Sequence, residues 1–146
     1  AALSFRIIAG YRAPMTSDRL FVYGTLMRGF DHPMARLLAQ HADFLGEASC
    51  RGRLVLVKHY PGLLLSDASS DVVHGELFHL RAGDELLREL DMYEACGEGF
   101  PEPTEYLRRL IDVTLADGAT EKAWTYVYNW PVTGLPRIES GRFLKH

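Results

Sequence analysis

The sequence predicts an α+β fold in which two helices accompany a small, mostly antiparallel sheet that is closed or nearly closed. Three observations favour this class. Six or seven short apolar runs, each bounded by glycine, proline or polar residues, are typical of strands. Two other segments carry apolar side chains at helical spacing. The dipeptide Asp117-Gly118, between two of the runs, is favoured in β-hairpin turns.

The first predicted strand, residues 20–26, runs into a glycine. Gly24 admits backbone dihedral angles that are closed to other residues, and it removes a side chain that would keep a ligand away. The backbone amides at this strand end are therefore able to point into a cavity, where they would suit a carboxylate. The alternative interpretation is a buried strand followed by a tight turn.

The remaining elements follow in order along the chain. A short helix is predicted over residues 33–41, with Asp31 as its cap and Pro33 in its first turn. A chain break is expected at Tyr60-Pro61-Gly62, and a bulge or a close backbone approach at Gly75. Further strands are predicted over residues 44–48, 52–57, 72–80, 106–115 and 121–129.

The composition describes one ordinary globular domain. The 146 residues carry a net charge of −3 and no basic run, which argues against a nucleic-acid partner, and no apolar stretch is long enough to span a membrane. Two cysteines without a CxxC pattern favour a reducing compartment such as the cytoplasm, with a single bridge as the alternative. Residues 1–18 are expected to form a partly disordered leader before a single domain over 19–146.

The best-defined predicted helix, residues 84–95 with Asp84 as its cap, carries a carboxylate inside its apolar stripe. At 100° per residue, one arc of the helix holds Leu86, Leu87, Leu90 and Tyr93. Glu94 falls within this arc, where a carboxylate is costly unless it is paired or protonated. Either a frayed helix end or a core hydrogen bond satisfies Glu94, or Glu94 is a base in a cavity. Both interpretations stay open at this point.

Several short motifs occur in an order that resembles one protein family. They are Tyr23-Gly24-Thr25-Leu26, Tyr60-Pro61-Gly62, Val73-His74-Gly75-Glu76-Leu77-Phe78, Leu90-Asp91-Met92-Tyr93-Glu94, Tyr106-Leu107-Arg108 and Ile138 with Ser140-Gly141. Together they resemble the gamma-glutamylcyclotransferase family, in its gamma-glutamylamine cyclotransferase and AIG2-like branch. Three departures bear on the leaving group more than on the chemistry. Ala95 replaces the usual glycine after the glutamate, residues 96–103 form an extended loop, and Arg142 and Phe143 replace the usual acidic and aromatic pair.

The resemblance implies a barrel with a pocket at its mouth, and cleavage of a gamma-glutamyl amide to 5-oxoproline and a free amine or amino acid. It implies no metal and no cofactor. Glu94 would serve as general base and acid, because one carboxyl group with a raised pKa can take a proton and later return it. The implied partner is a small gamma-glutamyl molecule, and the oligomeric state is not indicated.

The resemblance also implies a set of substrate-binding residues. These are Tyr23, Gly24, Thr25, Leu26, Gly75, Tyr106, Arg108 and Tyr126. The amides of residues 24–26 would hold the α-carboxylate or the developing oxyanion, and the tyrosines would donate hydroxyl hydrogen bonds. Gly75 would let a strand approach the ligand. Arg108 would pair with a carboxylate of the substrate or, alternatively, form an ion pair within the sheet.

Two other functions stay open from the sequence. The domain is alternatively a binding or interaction module that keeps the pocket without turnover, or a biosynthetic enzyme that shares the chemistry and differs in its leaving group. A cavity that joins Glu94 to the amides around Gly24 would favour an enzyme. A salt-bridged Glu94 that is sealed from any cavity would favour a binding module.

Overall fold

The computed structural model describes residues 17–95 and 99–144. Most of the predicted leader, residues 1–16, and residues 96–98 of the predicted loop lie outside the described residues. The elements within the described part are β1 (Arg19–Val22), α1 (Pro33–His41), β2 (Ala42–Leu56), β3 (Pro61–Leu65), β4 (Val72–Leu80), α2 (Gly83–Tyr93), β5 (Tyr106–Leu115), β6 (Thr120–Tyr128) and β7 (Arg137–Ile138).

Five strands close into a barrel. They follow each other in the order β2, β4, β1, β6, β5, and β5 pairs back onto β2. All neighbours are antiparallel except β1 and β6, which run parallel at Leu20 and Trp124. The short strands β3 and β7 both pair with β2 beyond the barrel. The predicted α+β barrel is confirmed, and it is mixed because of the one parallel pair.

Strand β1 is buried on both faces. Successive side chains of a strand point to opposite sides, and here the two sides belong to different apolar clusters. Phe21 packs in the barrel interior with Leu77. Leu20 and Val22 pack on the outer side, in a cluster that includes Leu90 of α2. Burial on both faces explains why the first strand is a continuous apolar run, although it ends at Val22, before the predicted residue 26.

Two predictions about the middle strands are wrong. The predicted strands 44–48 and 52–57 are one strand, β2, in which the register against β4 shifts between Phe44 and Gly46. Gly46 has a φ of +137°, which allows the chain to bend there without ending the strand. The break expected at residues 60–62 lies earlier, at residues 57–60, because Pro61 already begins β3 and pairs with Leu56.

Helix α1 spans the predicted residues but has a different cap. The N-cap is His32, whose Nδ1 accepts a hydrogen bond from the backbone N–H of Met34 at 3.1 Å. Asp31, the predicted cap, instead forms an ion pair with Arg36. The imidazole of His32 therefore accepts the first-turn N–H that the carboxylate of Asp31 was expected to accept.

Helix α2 begins one residue earlier and ends two residues earlier than predicted. Its N-cap is Ala82, without a side-chain hydrogen bond, so Asp84 lies in the first turn and is not the cap. Glu94 is the first residue beyond the helix and donates its N–H to the carbonyl of Leu90 at 2.9 Å. Neither helix of the described part is long and apolar enough to cross a membrane.

Strand β4 approaches β1 closely at Gly75. A Cβ atom at this position would lie 2.2 Å from the carbonyl oxygen of Val22 and 2.9 Å from the ring of Phe21. Real Cβ atoms do not come this close to a backbone atom, so the barrel requires a residue without a side chain here. The close backbone approach predicted for Gly75 is confirmed, whereas the bulge lies at Gly46 on the partner strand.

Replacing Gly75 by alanine is expected to lower the free energy of unfolding by about 3 kcal/mol, because the added methyl group overlaps a backbone carbonyl. Urea denaturation measures this. Gly83→Ala is the matched control, since the nearest atom to its Cβ would be 3.8 Å away, and it should leave stability unchanged or raise it. Equal losses for both variants would contradict the assignment.

Candidate active site

A cavity of about 290 Å³ lies where β1 and α2 end and where β3 and β5 begin. Seven of the nine predicted site residues line it, namely Tyr23, Gly24, Thr25, Leu26, Glu94, Tyr106 and Tyr126. The wall also contains residues that the sequence analysis did not assign to the site, among them His32, His59, Tyr60, Tyr93 and Glu105. The cavity therefore joins Glu94 to the segment around Gly24.

The other two predicted residues are not on the cavity wall within the described part of the chain. Gly75 faces the carbonyl of Val22, so its small size serves strand packing. Arg108 forms a two-bond ion pair with Asp91, from Nε to Oδ1 at 2.8 Å and from Nη2 to Oδ2 at 3.0 Å. Arg108 therefore forms an ion pair, as in its alternative interpretation, but with a residue of α2 and not within the sheet. The structure does not support substrate contact by either residue.

The ion pair between Asp91 and Arg108 attaches the end of α2 to the barrel. Both side chains are largely buried, and the hydroxyl of Tyr126 donates a third hydrogen bond to Asp91 Oδ1 at 2.6 Å. The Arg108 guanidinium also lies 4.4 Å from the ring centroid of Trp124. Because Asp91 precedes Glu94 by three residues, these contacts fix the helix turn from which Glu94 enters the cavity.

The segment after β1 offers free backbone donors to the cavity. A Cβ atom on Gly24 would lie 2.9 Å from Pro61, so the glycine allows β3 to pack against this segment. The carbonyl of Gly24 accepts a hydrogen bond from Met27 at 3.1 Å. The N–H groups of Gly24, Thr25 and Leu26 make no hydrogen bond to other described residues. Three neighbouring donors of this kind are suited to an anion.

The segment after β1 is held from outside by Glu76 of β4. Glu76 Oε1 accepts the backbone N–H of Arg28 at 2.8 Å. The guanidinium of Arg28 lies 3.4 Å from the ring centroid of Phe44. The glutamate of the Gly-Glu motif therefore anchors the far end of the segment and does not enter the cavity wall within the described residues.

Tyr23 and Tyr106 already use their hydroxyl protons within the protein. Tyr23 donates to the carbonyl of Tyr126 at 2.6 Å, and Tyr106 donates to the carbonyl of Pro61 at 2.7 Å. Burial raises the pKa of Tyr23 and of Tyr106 far above the usual value, so both hydroxyls stay protonated. The Tyr106 oxygen is left as an acceptor, whereas the Tyr23 oxygen also accepts the backbone N–H of Leu63. The expectation that these tyrosines donate hydrogen bonds to a ligand is therefore not supported.

Glu94 is the carboxyl group of the cavity with the most perturbed proton affinity. Burial raises its pKa to about 7, and the charges of Glu105 and Asp91 act in the same direction. Its side chain has no hydrogen bond or ion pair with another described residue. A carboxyl group of this kind changes its protonation readily near neutral pH, as acid–base catalysis requires.

His32 and Tyr93 form one side of the wall. Since Nδ1 of His32 accepts the N–H of Met34, the proton of the neutral ring is on Nε2 and is donated to the Tyr93 hydroxyl. Burial lowers the pKa of His32, and the positive charge of Arg36 adds to the effect. The described residues contain no cluster of His, Cys, Asp and Glu arranged to hold a metal ion.

Comparison with known proteins identifies the family. Residues 20–145 match the family model described as gamma-glutamyl cyclotransferase, AIG2-like. The chain belongs to this family. It is 36% identical over 129 residues to the gamma-glutamylcyclotransferase family protein YtfP of Escherichia coli K12, a match that covers 86% of this chain and 96% of YtfP. The corresponding protein of Citrobacter rodentium is 37% identical, and the match covers 86% of this chain and 95% of that protein.

Solved structures of the gamma-glutamyl cyclotransferase family share the fold. An AIG2-like protein from Mus musculus superposes with a TM-score of 0.66 at 26% identity, covering 88% of this chain and 96% of the mouse chain. The solution structure of YtfP from Escherichia coli superposes with a TM-score of 0.58 at 35% identity, and the match covers 87% of this chain and 96% of the YtfP chain.

The structure explains one departure from the family pattern. Ala95 occupies the position where the AIG2-like branch usually has glycine, and its φ is +54°. Its N–H bonds to the carbonyl of Met92 at 3.1 Å, as in a left-handed helix C-cap. Glycine is favoured there because other residues are strained by their Cβ atom. The alanine therefore keeps the cap geometry at a cost in stability.

Replacing Ala95 by glycine is expected to raise the free energy of unfolding by about 1 kcal/mol, since it relieves the left-handed strain. Chemical denaturation measures the change. Ala39→Gly, at an exposed position within α1, is the control and should lower stability by about 1 kcal/mol. A loss in both variants would contradict the strain at Ala95.

Glu94 is expected to make stability depend on pH. Its pKa is about 7 in the folded chain and 4.5 ordinarily, so the folded state binds more protons between these values and loses stability as pH rises. Glu94→Gln removes this loss. Its stability relative to the native chain should therefore grow from pH 4.5 to 7, by at most about 3 kcal/mol.

Urea unfolding at several pH values measures the difference between Glu94→Gln and the native chain. Glu89→Gln, on the exposed face of the same helix, serves as the matched control and should follow the native pH dependence. A difference between Glu94→Gln and the native chain that stays constant over this pH range would rule out the raised pKa.

Proposed function

We propose that this chain is a gamma-glutamyl cyclotransferase, which cleaves a gamma-glutamyl amide to 5-oxoproline and a free amine or amino acid. The observation that carries the proposal is the cavity that is lined by Glu94 and by Gly24, Thr25 and Leu26, whose N–H groups make no hydrogen bond to other described residues. Membership of the family supports it.

The reaction is an intramolecular amide exchange. The α-amino nitrogen of the substrate attacks the carbonyl carbon of its own side chain, a new carbon–nitrogen bond closes the five-membered ring, and the original amide bond breaks. The amine leaves with the proton that the α-amino group lost, so no water is consumed. Because the nucleophile is tethered to the electrophile, holding the substrate folded supplies much of the acceleration.

Glu94 moves the proton in this proposal. Its carboxylate takes a proton from the α-ammonium group, which frees the nitrogen lone pair for attack, and the resulting acid protonates the departing nitrogen. The carboxylate then takes the second proton, which the ring nitrogen loses on closure, and passes it to the released amine, which leaves as an ammonium ion. A pKa of about 7 suits both steps at neutral pH. The amides of residues 24–26 hold the α-carboxylate or the oxyanion that develops on the attacked carbonyl.

A binding module without turnover is the weaker candidate. It would be favoured by a Glu94 that is sealed and salt-bridged. Glu94 instead lines the cavity and has no ion pair with the described residues. The cavity is also large enough for a small amino-acid derivative and too small for a peptide segment of several residues.

Glu94→Gln is expected to lower kcat/KM for 5-oxoproline release by about 100-fold or more, since the amide can neither accept nor return the proton. The measurement is 5-oxoproline formation from gamma-glutamyl amines, gamma-glutamyl amino acids and glutathione. The native chain should release 5-oxoproline from at least one class, which identifies the leaving group.

Glu89→Gln is the control for this assay and should retain native activity. Equal release by the native chain and by a folded Glu94→Gln variant would remove Glu94 from its catalytic role. Absence of release from every substrate by the folded native chain would favour the binding module over the enzyme.

A further inference from the structure

A second carboxylate, Glu105, lines the same cavity as Glu94. Glu105 lies immediately before β5, and hydrogen bonds hold both its backbone and its side chain. Its backbone carbonyl accepts the N–H of Asn129 at 2.7 Å, and its Oε2 accepts the hydroxyl proton of Tyr60 at 2.6 Å. The Tyr60 ring in turn packs against Tyr106, with ring centroids 6.4 Å apart.

One oxygen of Glu105 is left for a ligand. Oε1 has no hydrogen bond with the described residues, and Glu105 has no ion pair among them. No arginine or lysine is found among the described residues of the cavity wall. A carboxylate that is partly removed from water, held in one orientation and without a counter-ion favours the binding of a cation.

The rest of the cavity is also rich in acceptors. The hydroxyls of Tyr23 and Tyr106 donate hydrogen bonds to backbone carbonyls, and the Tyr106 oxygen retains lone pairs, whereas the Tyr23 oxygen also accepts the backbone N–H of Leu63. The available N–H donors belong to the segment that follows β1. The cavity wall therefore carries both acceptors and N–H donors, which match the ammonium and carboxylate groups on the α-carbon of an amino acid.

We propose that Glu105 binds the α-ammonium group of the gamma-glutamyl substrate and orients the nitrogen that attacks. This inference rests on the proposed function. Glu105, oriented by Tyr60, holds the group through Oε1, while Glu94 removes one proton from it. Glu94 has no hydrogen-bond partner among the described side chains, so its carboxylate is available to take the proton. Glu105 therefore binds the ammonium group, and Glu94 transfers the proton.

The proposal predicts that Glu105 distinguishes ligands by their amino group. N5-methylglutamine carries the α-ammonium group, and N-methylglutaramate is the same molecule without it. Calorimetric titration of the Glu94→Gln chain, which should bind without turnover, is compared with the Glu94→Gln, Glu105→Gln chain. The Glu105→Gln change should weaken the binding of N5-methylglutamine by about tenfold or more. It should change the binding of N-methylglutaramate by less than about twofold.

Two further variants separate charge from packing. Glu105→Asp keeps the charge and should retain part of the preference for the amino group. Tyr60→Phe keeps the carboxylate and the ring but removes the orienting hydrogen bond, and about a threefold loss for N5-methylglutamine is expected. In the otherwise native chain, Glu105→Gln should raise KM for a turned-over substrate more than it lowers kcat.

Equal weakening of both ligands would overturn the ammonium contact, because a merely structural role affects them alike. Unchanged binding of both ligands would overturn it as well. If the native chain releases 5-oxoproline and Glu105→Gln leaves KM unchanged, this inference fails while the proposed function stands. If neither ligand binds and the native chain releases no 5-oxoproline, both fail together.

Discussion

The position of Glu94 depends on the buried ion pair between Asp91 and Arg108. Both bonds of the pair are short, and the Tyr126 hydroxyl supplies a third, so the last turn of α2 has one orientation on strands β5 and β6. A two-bond arginine–carboxylate pair fixes direction as well as distance. Without this ion pair, the end of α2 would be held mainly by apolar contacts. Such contacts determine how closely the helix packs on the strands more than its rotation about its own axis.

The same region places three carboxyl groups near one another, and only one of them has a cation. Arg108 compensates Asp91, whereas Glu94 and Glu105 face the cavity without a cationic partner among the described residues. Burial of Glu94, together with the charges of Glu105 and Asp91, raises the pKa of Glu94 and opposes folding. Ala95 adds backbone strain one residue further on. Functional sites commonly retain such unfavourable terms, which the surrounding fold must offset.

Much of the fold could be predicted because its signals are local. The bounded apolar runs of β4 and β5 and the helical spacing of apolar side chains in both helices reproduced most element bounds, and the carboxylate of Glu94 within an apolar arc indicated the site. What was missed depends on contacts between distant segments. Glu105 precedes a strand in polar, proline-rich sequence, and only the meeting of β3 with β5 places Tyr60 beside it. The close approach at Gly75 was predicted from the glycine alone, but its partner Val22 lies 53 residues away in sequence and was not identified.

The parallel pairing of β1 with β6 has a consequence for how the molecule is made. The hydrogen bond from Thr125 to the carbonyl of Phe21 joins residues 104 positions apart, so β1 waits for most of the later chain to be synthesised before both its edges are covered. Until then its apolar side chains are available to chaperones and to other nascent chains. The segment that follows β1 is held by the same late strand, since the hydroxyl of Tyr23 donates to the carbonyl of Tyr126. A molecule that binds this segment only in the folded chain would therefore also stabilise the last seam of the barrel.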